Sequence, residues 1–107
     1  MKSELYQMQA EVCKAIAHPT RIEILQLLRD GERCVCEIFP AMKIEQPNVS
    51  RHLSVLKKAG ILSSRKDGLK VIYMVNDQRI YEVLDLVTDM LKGQLDSRQS
   101  ALKSVVG

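Results

Sequence analysis

The residues of this chain best suited to chemistry are its three cysteines, and two of them stand together. In GERCVCEI, residues 31–38, Cys34 and Cys36 flank a single valine, while Cys13 lies in an earlier amphipathic segment. A lone buried cysteine is ordinary packing, so the pair is what needs explaining. Read on a helix, residues i and i+2 point ~200° apart, and both thiols cannot face one core. The same divergence argues against a disulfide, which needs Cβ atoms ~3.5–4.5 Å apart. A nucleophilic cysteine requires a partnered base, and neither His18 nor His52 follows a spacing that ties it to the pair. The remaining chemistry is a soft ion held by thiolates. Both could reach one ion only if the helix start distorts, and that distortion would be passed along the chain.

A second set of residues points to a polyanion. In QPNVSRHLSVLKKAG, residues 46–60, Val49, Leu53, Leu56 and Ala59 form one apolar stripe, and Gly60 supplies a C-terminal stop. The opposite face carries Gln46, Asn48, Ser50, Arg51, Ser54, Lys57 and Lys58, with no acid. Residues 46–70 hold a net +5 in a chain of net +3. A local basic patch of this kind suits a nucleic acid. In the major groove Gln and Asn pair bidentately with adenine and Arg with guanine. Gln46, Asn48, Ser50 and Arg51 are therefore the expected base readers, and Lys57 a backbone contact.

The elements that must position these residues follow from periodicity. Leu5, Met8, Val12 and Ile16 predict a helix over 4–17 with Ser3 as its cap. PTRIEILQLLR, residues 19–29, is apolar on most sides and reads as a central helix, closed by Asp30-Gly31. A short helix runs from Val35 to about Met42, with the cysteines at its start and Pro40 inside it. ILSSRKDGLKVIYMV predicts two strands around Asp67-Gly68, with Arg65, Lys66 and Lys70 near the tip. Asn76 or Asp77 caps a last helix whose stripe is Ile80, Leu84, Val87, Leu91 and Leu95, flanked by Val83 and Met90. The expected fold is mainly α with a β-hairpin wing, a dimeric winged helix-turn-helix. Residues 1–96 form the DNA-binding and dimerisation domain, and 97–107 a frayed tail. His18 and His52 are expected to be structural.

The totals exclude several classes. A chain of 107 residues fits one domain, and a helical domain of this size often completes its core by dimerising. No apolar run approaches the ~18 residues of a membrane span. The start, MKSELYQMQAEV, has no apolar signal core. A cytoplasmic protein with reduced thiols is expected, and an odd cysteine count argues against a disulfide framework. There is no carboxylate pair, phosphate loop or nucleophile–base arrangement, so an enzyme is not expected.

RCVCEI, QPNVSRHLSVLKKAGIL and SRKDGLKVIYMV together resemble the ArsR/SmtB family of metal- and metalloid-responsive repressors, over roughly Ala15 to Val87. The resemblance implies a homodimer built on the first and last helices. It implies binding to palindromic double-stranded operator DNA with no cofactor, and release when an inducer is ligated. It assigns Gln46, Asn48, Ser50 and Arg51 to the bases, and residues 65–70 to the wing. Arsenic-sensing members often read C-V-C-x-x-C, whereas here the third position is Phe39. Cys13 is then the thiol left to complete a three-sulfur site, from the same chain or its partner. Such a site suits As(III) or Sb(III); Cd(II), Pb(II) and Hg(II) are alternatives. Zn(II) usually takes four ligands, and the last helix has no histidine to supply the zinc site of some relatives. Two other readings stand beside this one. One is a redox-sensing repressor that pairs Cys13 with Cys34 or Cys36. The other is a small metal-storage or metallochaperone protein, which leaves the acid-free face unexplained.

Overall fold

The computed structural model describes residues 1–106, with side chains through residue 99. Five helices and three strands follow in the order α1 (Lys2–Ile16), α2 (Pro19–Leu27), β1 (Arg33–Cys34), α3 (Val35–Met42), α4 (Gln46–Lys58), β2 (Leu62–Asp67), β3 (Lys70–Val75) and α5 (Arg79–Val106). Two compact units divide at Asn76: residues 1–76, and α5 with its lead-in.

In the first unit the α4 stripe joins the core up to Leu56, while Leu5, Met8 and Val12 of the α1 stripe stay exposed. Ile24, Leu25 and Leu28 from α2, Ile38 and Met42 from α3, and Val49, Leu53 and Leu56 from α4 are all buried. Ile61, Leu62 and Ile72 bring the sheet to the same interior. α2 is less enclosed than its composition suggests, since Ile22 and Glu23 face solvent. α2 packs against α4 and α3, and α4 packs against β2. α3 and α4 are joined by a turn in which Lys43 takes the left-handed conformation, φ 58°. A positive φ is costly for a residue with a Cβ, but it reverses the chain within three residues and closes the helix-turn-helix.

The hairpin β2–β3 pairs Asp67 with Lys70, leaving Gly68 and Leu69 as a two-residue loop. Gly68 has φ 64°, the conformation the first loop position of a II′ turn demands. Leu69 at the tip is fully exposed. The sheet has a third strand that periodicity did not disclose. β1 pairs antiparallel with β3, Arg33 opposite Tyr73 and Cys34 opposite Ile72. Two residues are too few to show an alternating pattern.

Boundaries move slightly from expectation. α1 begins at Lys2 with Met1 at its cap, not Ser3. Pro47 is the second residue of α4, not the first.

The second unit is the single helix α5. Asp77 rather than Asn76 receives its first turn: the Arg79 N–H donates to Asp77 Oδ1 at 3.0 Å. The Arg79 guanidinium grips the same carboxylate at 2.6 Å, which holds Asp77 down to about 2. Asn76 is used elsewhere, its side chain donating to the Gly60 carbonyl at 2.7 Å. Of the tail expected to fray, side chains from residue 100 and all of Gly107 lie outside the described residues; the helix is assigned through Val106.

Candidate functional site

The cysteine pair is built by a helix cap. Cys34 has φ −70° and ψ 148°, an extended backbone, and stands at the N-cap of α3. Its sulfur accepts from the Cys36 N–H at 3.0 Å. Glu37 reaches back to accept from the Cys34 N–H at 3.3 Å. This is the capping box usually written with Ser or Thr first and Glu fourth, here with sulfur in place of the hydroxyl. Cys34-x-x-Glu37 was the signal that could have revealed it.

The cap corrects the expectation that the two thiols diverge. That reasoning holds for two helical residues, and Cys34 is not helical. Extended at 34 and helical at 36, the backbone turns both side chains the same way. Their sulfurs are joined as a disulfide, with Cα atoms 5.0 Å apart. Cys34 is buried and Cys36 exposed, so the pair is reachable from one side only. Cys13, on α1, is exposed and unpaired. Among the described residues no three His, Cys, Asp or Glu gather closely enough to hold a metal ion. In this structure Cys13 does not stand with the pair.

α4, the helix expected to read DNA, lies beside the cysteines. A cavity of about 520 Å³ is lined by Cys34, Cys36 and Phe39 on one side and by Gln46 and Ser50 of α4 on another. Lys70, Val71 and Tyr73 of β3 close its third wall. Gln46, Asn48, Ser50 and Arg51 are all exposed, as base readers must be. Lys66 and Lys70 are exposed on the wing. Two expected contacts are otherwise engaged. Lys57 Nζ donates to Ser64 Oγ at 2.7 Å. Arg65 makes a two-pronged ion pair with Glu32, Nη2 to Oε1 at 2.8 Å. The Arg65 guanidinium holds the Glu32 carboxyl below its ordinary value.

The histidines are structural, as their positions suggested. His18 caps α2, its Nδ1 accepting from the Thr20 N–H at 3.1 Å. The His52 ring lies 4.4 Å from the His18 ring, and its Nδ1 accepts from Arg21 Nε at 3.2 Å. The same guanidinium donates to the carbonyls of Lys14 and Ala15 at 3.1 and 3.0 Å. Arg21 thus ties the end of α1 and the start of α2 to the reading helix, a link the sequence did not disclose. Burial lowers the His52 pKa, with His18, Arg21 and Arg51 adding to the effect.

A helix-turn-helix followed by a basic two-stranded wing defines a winged-helix DNA-binding protein. Residues 18–64 match the family described as bacterial regulatory protein, arsR family. The chain is 44% identical over 88 residues to the uncharacterized HTH-type transcriptional regulator MJ1325 of Methanocaldococcus jannaschii, covering 81% of this chain and 99% of that one. It is 42% identical over 92 residues to the arsenic resistance transcriptional regulator ArsR1 of Pseudomonas putida, covering 85% and 69%. Among solved structures it resembles the homodimeric winged helix-turn-helix domain of Mb0332 from Mycobacterium bovis. That match has a TM-score of 0.79 and 30% identity, and covers 90% of this chain and 89% of that one. The chain belongs to the ArsR family. It is a transcriptional regulator, not an enzyme, and among the described residues no helix is long and apolar enough to cross a membrane.

Proposed function

We propose that this protein is a repressor that binds palindromic operator DNA as a homodimer and lets go when Cys34 and Cys36 ligate As(III) or Sb(III). The observation that carries this reading is the shared cavity: the sulfur pair and two expected base readers, Gln46 and Ser50, line the same space. An ion taken there changes the wall against which the reading helix rests. The name of the P. putida relative supports the metalloid.

In this reading Gln46, Asn48, Ser50 and Arg51 meet base edges, and Lys57, Arg65, Lys66 and Lys70 meet the phosphate backbone. Cys13 supplies the third thiolate from the partner. The dimer is built on two apolar faces that solvent now sees, Leu5, Met8 and Val12 on α1 and Leu86, Met90 and Leu91 on α5. The homodimeric state of Mb0332 supports it.

The test is fluorescence anisotropy of the reduced protein on its own promoter DNA, titrated in turn with As(III), Sb(III), Cd(II) and Zn(II). Release by As(III) or Sb(III), lost in Cys36→Ser while DNA binding persists, is the expected result. Release of Cys36→Ser at the wild-type concentration overturns it.

A second reading is favoured by the bond between Cys34 and Cys36: a repressor switched by dithiol–disulfide exchange. It differs from the Cys13 pairing expected from sequence. Peroxide-dependent loss of DNA, reversed by dithiothreitol and indifferent to As(III), is its signature.

A further inference from the structure

We infer that Leu69, at the tip of the wing, enters the minor groove of operator DNA and partly unstacks one base step there. The inference rests on the DNA-binding part of the reading above. It deepens that reading by naming what the wing recognises: a step that opens easily, not phosphate charge alone.

The hairpin is paired as far as Asp67 opposite Lys70, so its tip is Gly68 and Leu69. Strands rise ~3.4 Å per residue, which carries the tip roughly 10 Å beyond Ile72, the buried residue of β3. Leu69 stands in solvent, and no other large apolar side chain among the described residues is as exposed. A two-residue turn that opens on Gly asks for Asn, Asp or Ser next. Neither the turn nor the core explains a leucine at this place.

Its neighbours give the leucine a direction. Cross-strand partners share a face of the ribbon, and successive residues alternate. Lys66, opposite Val71, is therefore on one face and Lys70, opposite Asp67, on the other. Both are exposed, and neither is ion-paired among the described residues, whereas Glu32 holds Arg65. A cation on each face, with an apolar side chain in front of both, matches a groove walled by phosphates and floored by base edges. The minor groove is ~6 Å wide, too narrow for the ribbon but not for one leucine. Apolar side chains that enter it wedge between base steps and kink the duplex. Leu69 and Lys70 also border the cavity that Gln46 and Ser50 line, and α4 packs against β2. With α4 in a major groove, the tip is thus presented to the adjoining stretch of the same duplex.

Burying the leucine offsets part of the cost of unstacking. That balance favours pyrimidine–purine steps, TA and CA/TG, which unstack most easily. A side chain that makes no hydrogen bond becomes in this way a source of sequence preference.

The test uses the reduced full chain and its own promoter DNA, with 2-aminopurine replacing adenine one position at a time. The fluorescence of this base rises when it leaves the stack. Wild type is expected to brighten one position per half-site, at a pyrimidine–purine step beside the α4 contacts, and Leu69→Ala to leave it dark. By anisotropy Leu69→Ala should bind about tenfold more weakly, a difference of ~1.4 kcal/mol. Its dependence of log K on log salt should match wild type, because no phosphate contact is removed, whereas Lys66→Ala should flatten that slope by about one. Leu69 has no packing to lose, so urea titration of Leu69→Ala should also match wild type. Leu69→Lys separates wedge from charge: it should steepen the slope and still leave the position dark. No bright position, or one that stays bright in Leu69→Ala, overturns the inference. Wild-type affinity in Leu69→Ala overturns it too, and leaves the exposed leucine to a protein contact. Failure of the wild type to bind its promoter with any dependence on salt overturns instead the DNA-binding reading beneath it.

Discussion

Cys34 and Ile72 face one another across the β1–β3 ladder, so the first of the two thiols sits on a strand paired with the wing. Sequence reasoning traced one path from the cysteines to the DNA-reading helix, along α3 and the turn. The ladder adds a second, from Cys34 through Ile72 to Lys70 and the hairpin tip. In the proposed reading, a change at sulfur 34 reaches both elements expected to face DNA.

Cys34 has two tasks, and substitutions separate them. Serine caps a helix well, so Cys34→Ser should leave stability to urea within ~0.5 kcal/mol and DNA binding intact while abolishing the response to arsenicals. Cys34→Ala removes the cap acceptor and should cost ~0.5–2 kcal/mol. Equal stability of the two variants in urea titrations would mean that the sulfur–amide contact does no capping.

Glu32 restrains the wing. It holds Arg65 by two prongs in a pair about half exposed on each side, so it contributes little to stability but occupies an expected phosphate contact. Glu32→Gln should raise operator affinity several-fold and steepen the dependence of log K on log salt by about one. Unchanged slopes between wild type and Glu32→Gln, measured from 50 to 300 mM salt by anisotropy, would remove Arg65 from the DNA contacts.

His52 makes stability depend on pH. Burial, first, and then the neighbouring His18, Arg21 and Arg51 push its pKa below the ordinary 6.5. The folded state therefore binds this proton less readily than the unfolded one. The contribution is complete above about pH 6.5 and is lost as pH falls through the depressed value. Protonation would also remove the acceptor that Arg21 Nε uses. Between pH 7.5 and 5.5 the wild type should lose more thermal stability than His52→Gln, which keeps an oxygen acceptor and does not titrate. Parallel melting curves for the two would assign the pH dependence to other groups.

Met90 and Leu91 are more than half exposed on α5. Should that face form the dimer, Met90→Glu places a charge in an apolar contact. The variant should sediment as a monomer at micromolar concentration and bind a single operator only weakly. A dimer retained in Met90→Glu would move the interface elsewhere.

The parts of the fold written in long periodic segments were legible. Of the α4 stripe Val49, Leu53 and Leu56 are fully buried, and the hairpin turns one residue later than Asp67-Gly68 suggests, at Gly68 and Leu69. Short-range geometry was not. β1 has only two residues, and the whole cysteine argument turned on whether position 34 is helical. One residue's ψ, set by a cap, reversed the conclusion about where two sulfurs point. Charge and position along α4 and the hairpin mark Lys57 and Arg65 as expected DNA contacts, but their partners Ser64 and Glu32 meet them only through tertiary folding. Arg21 was invisible for the same reason: its three acceptors come from α1 and α4, none adjacent in sequence.

Arg21 has a consequence for how this protein is aimed. One planar fork grips the last carbonyls of the first helix and the histidine of the reading helix, a geometry that lysine's point charge would not reproduce. The first helix offers one of the two faces proposed to meet a second copy. The angle at which a protomer presents α4 is thereby indexed to the seating of α1. In the proposed dimer, assembly and aim would then not be independent variables: a protomer that lost its neighbour would also lose a reference for its bearing on the DNA.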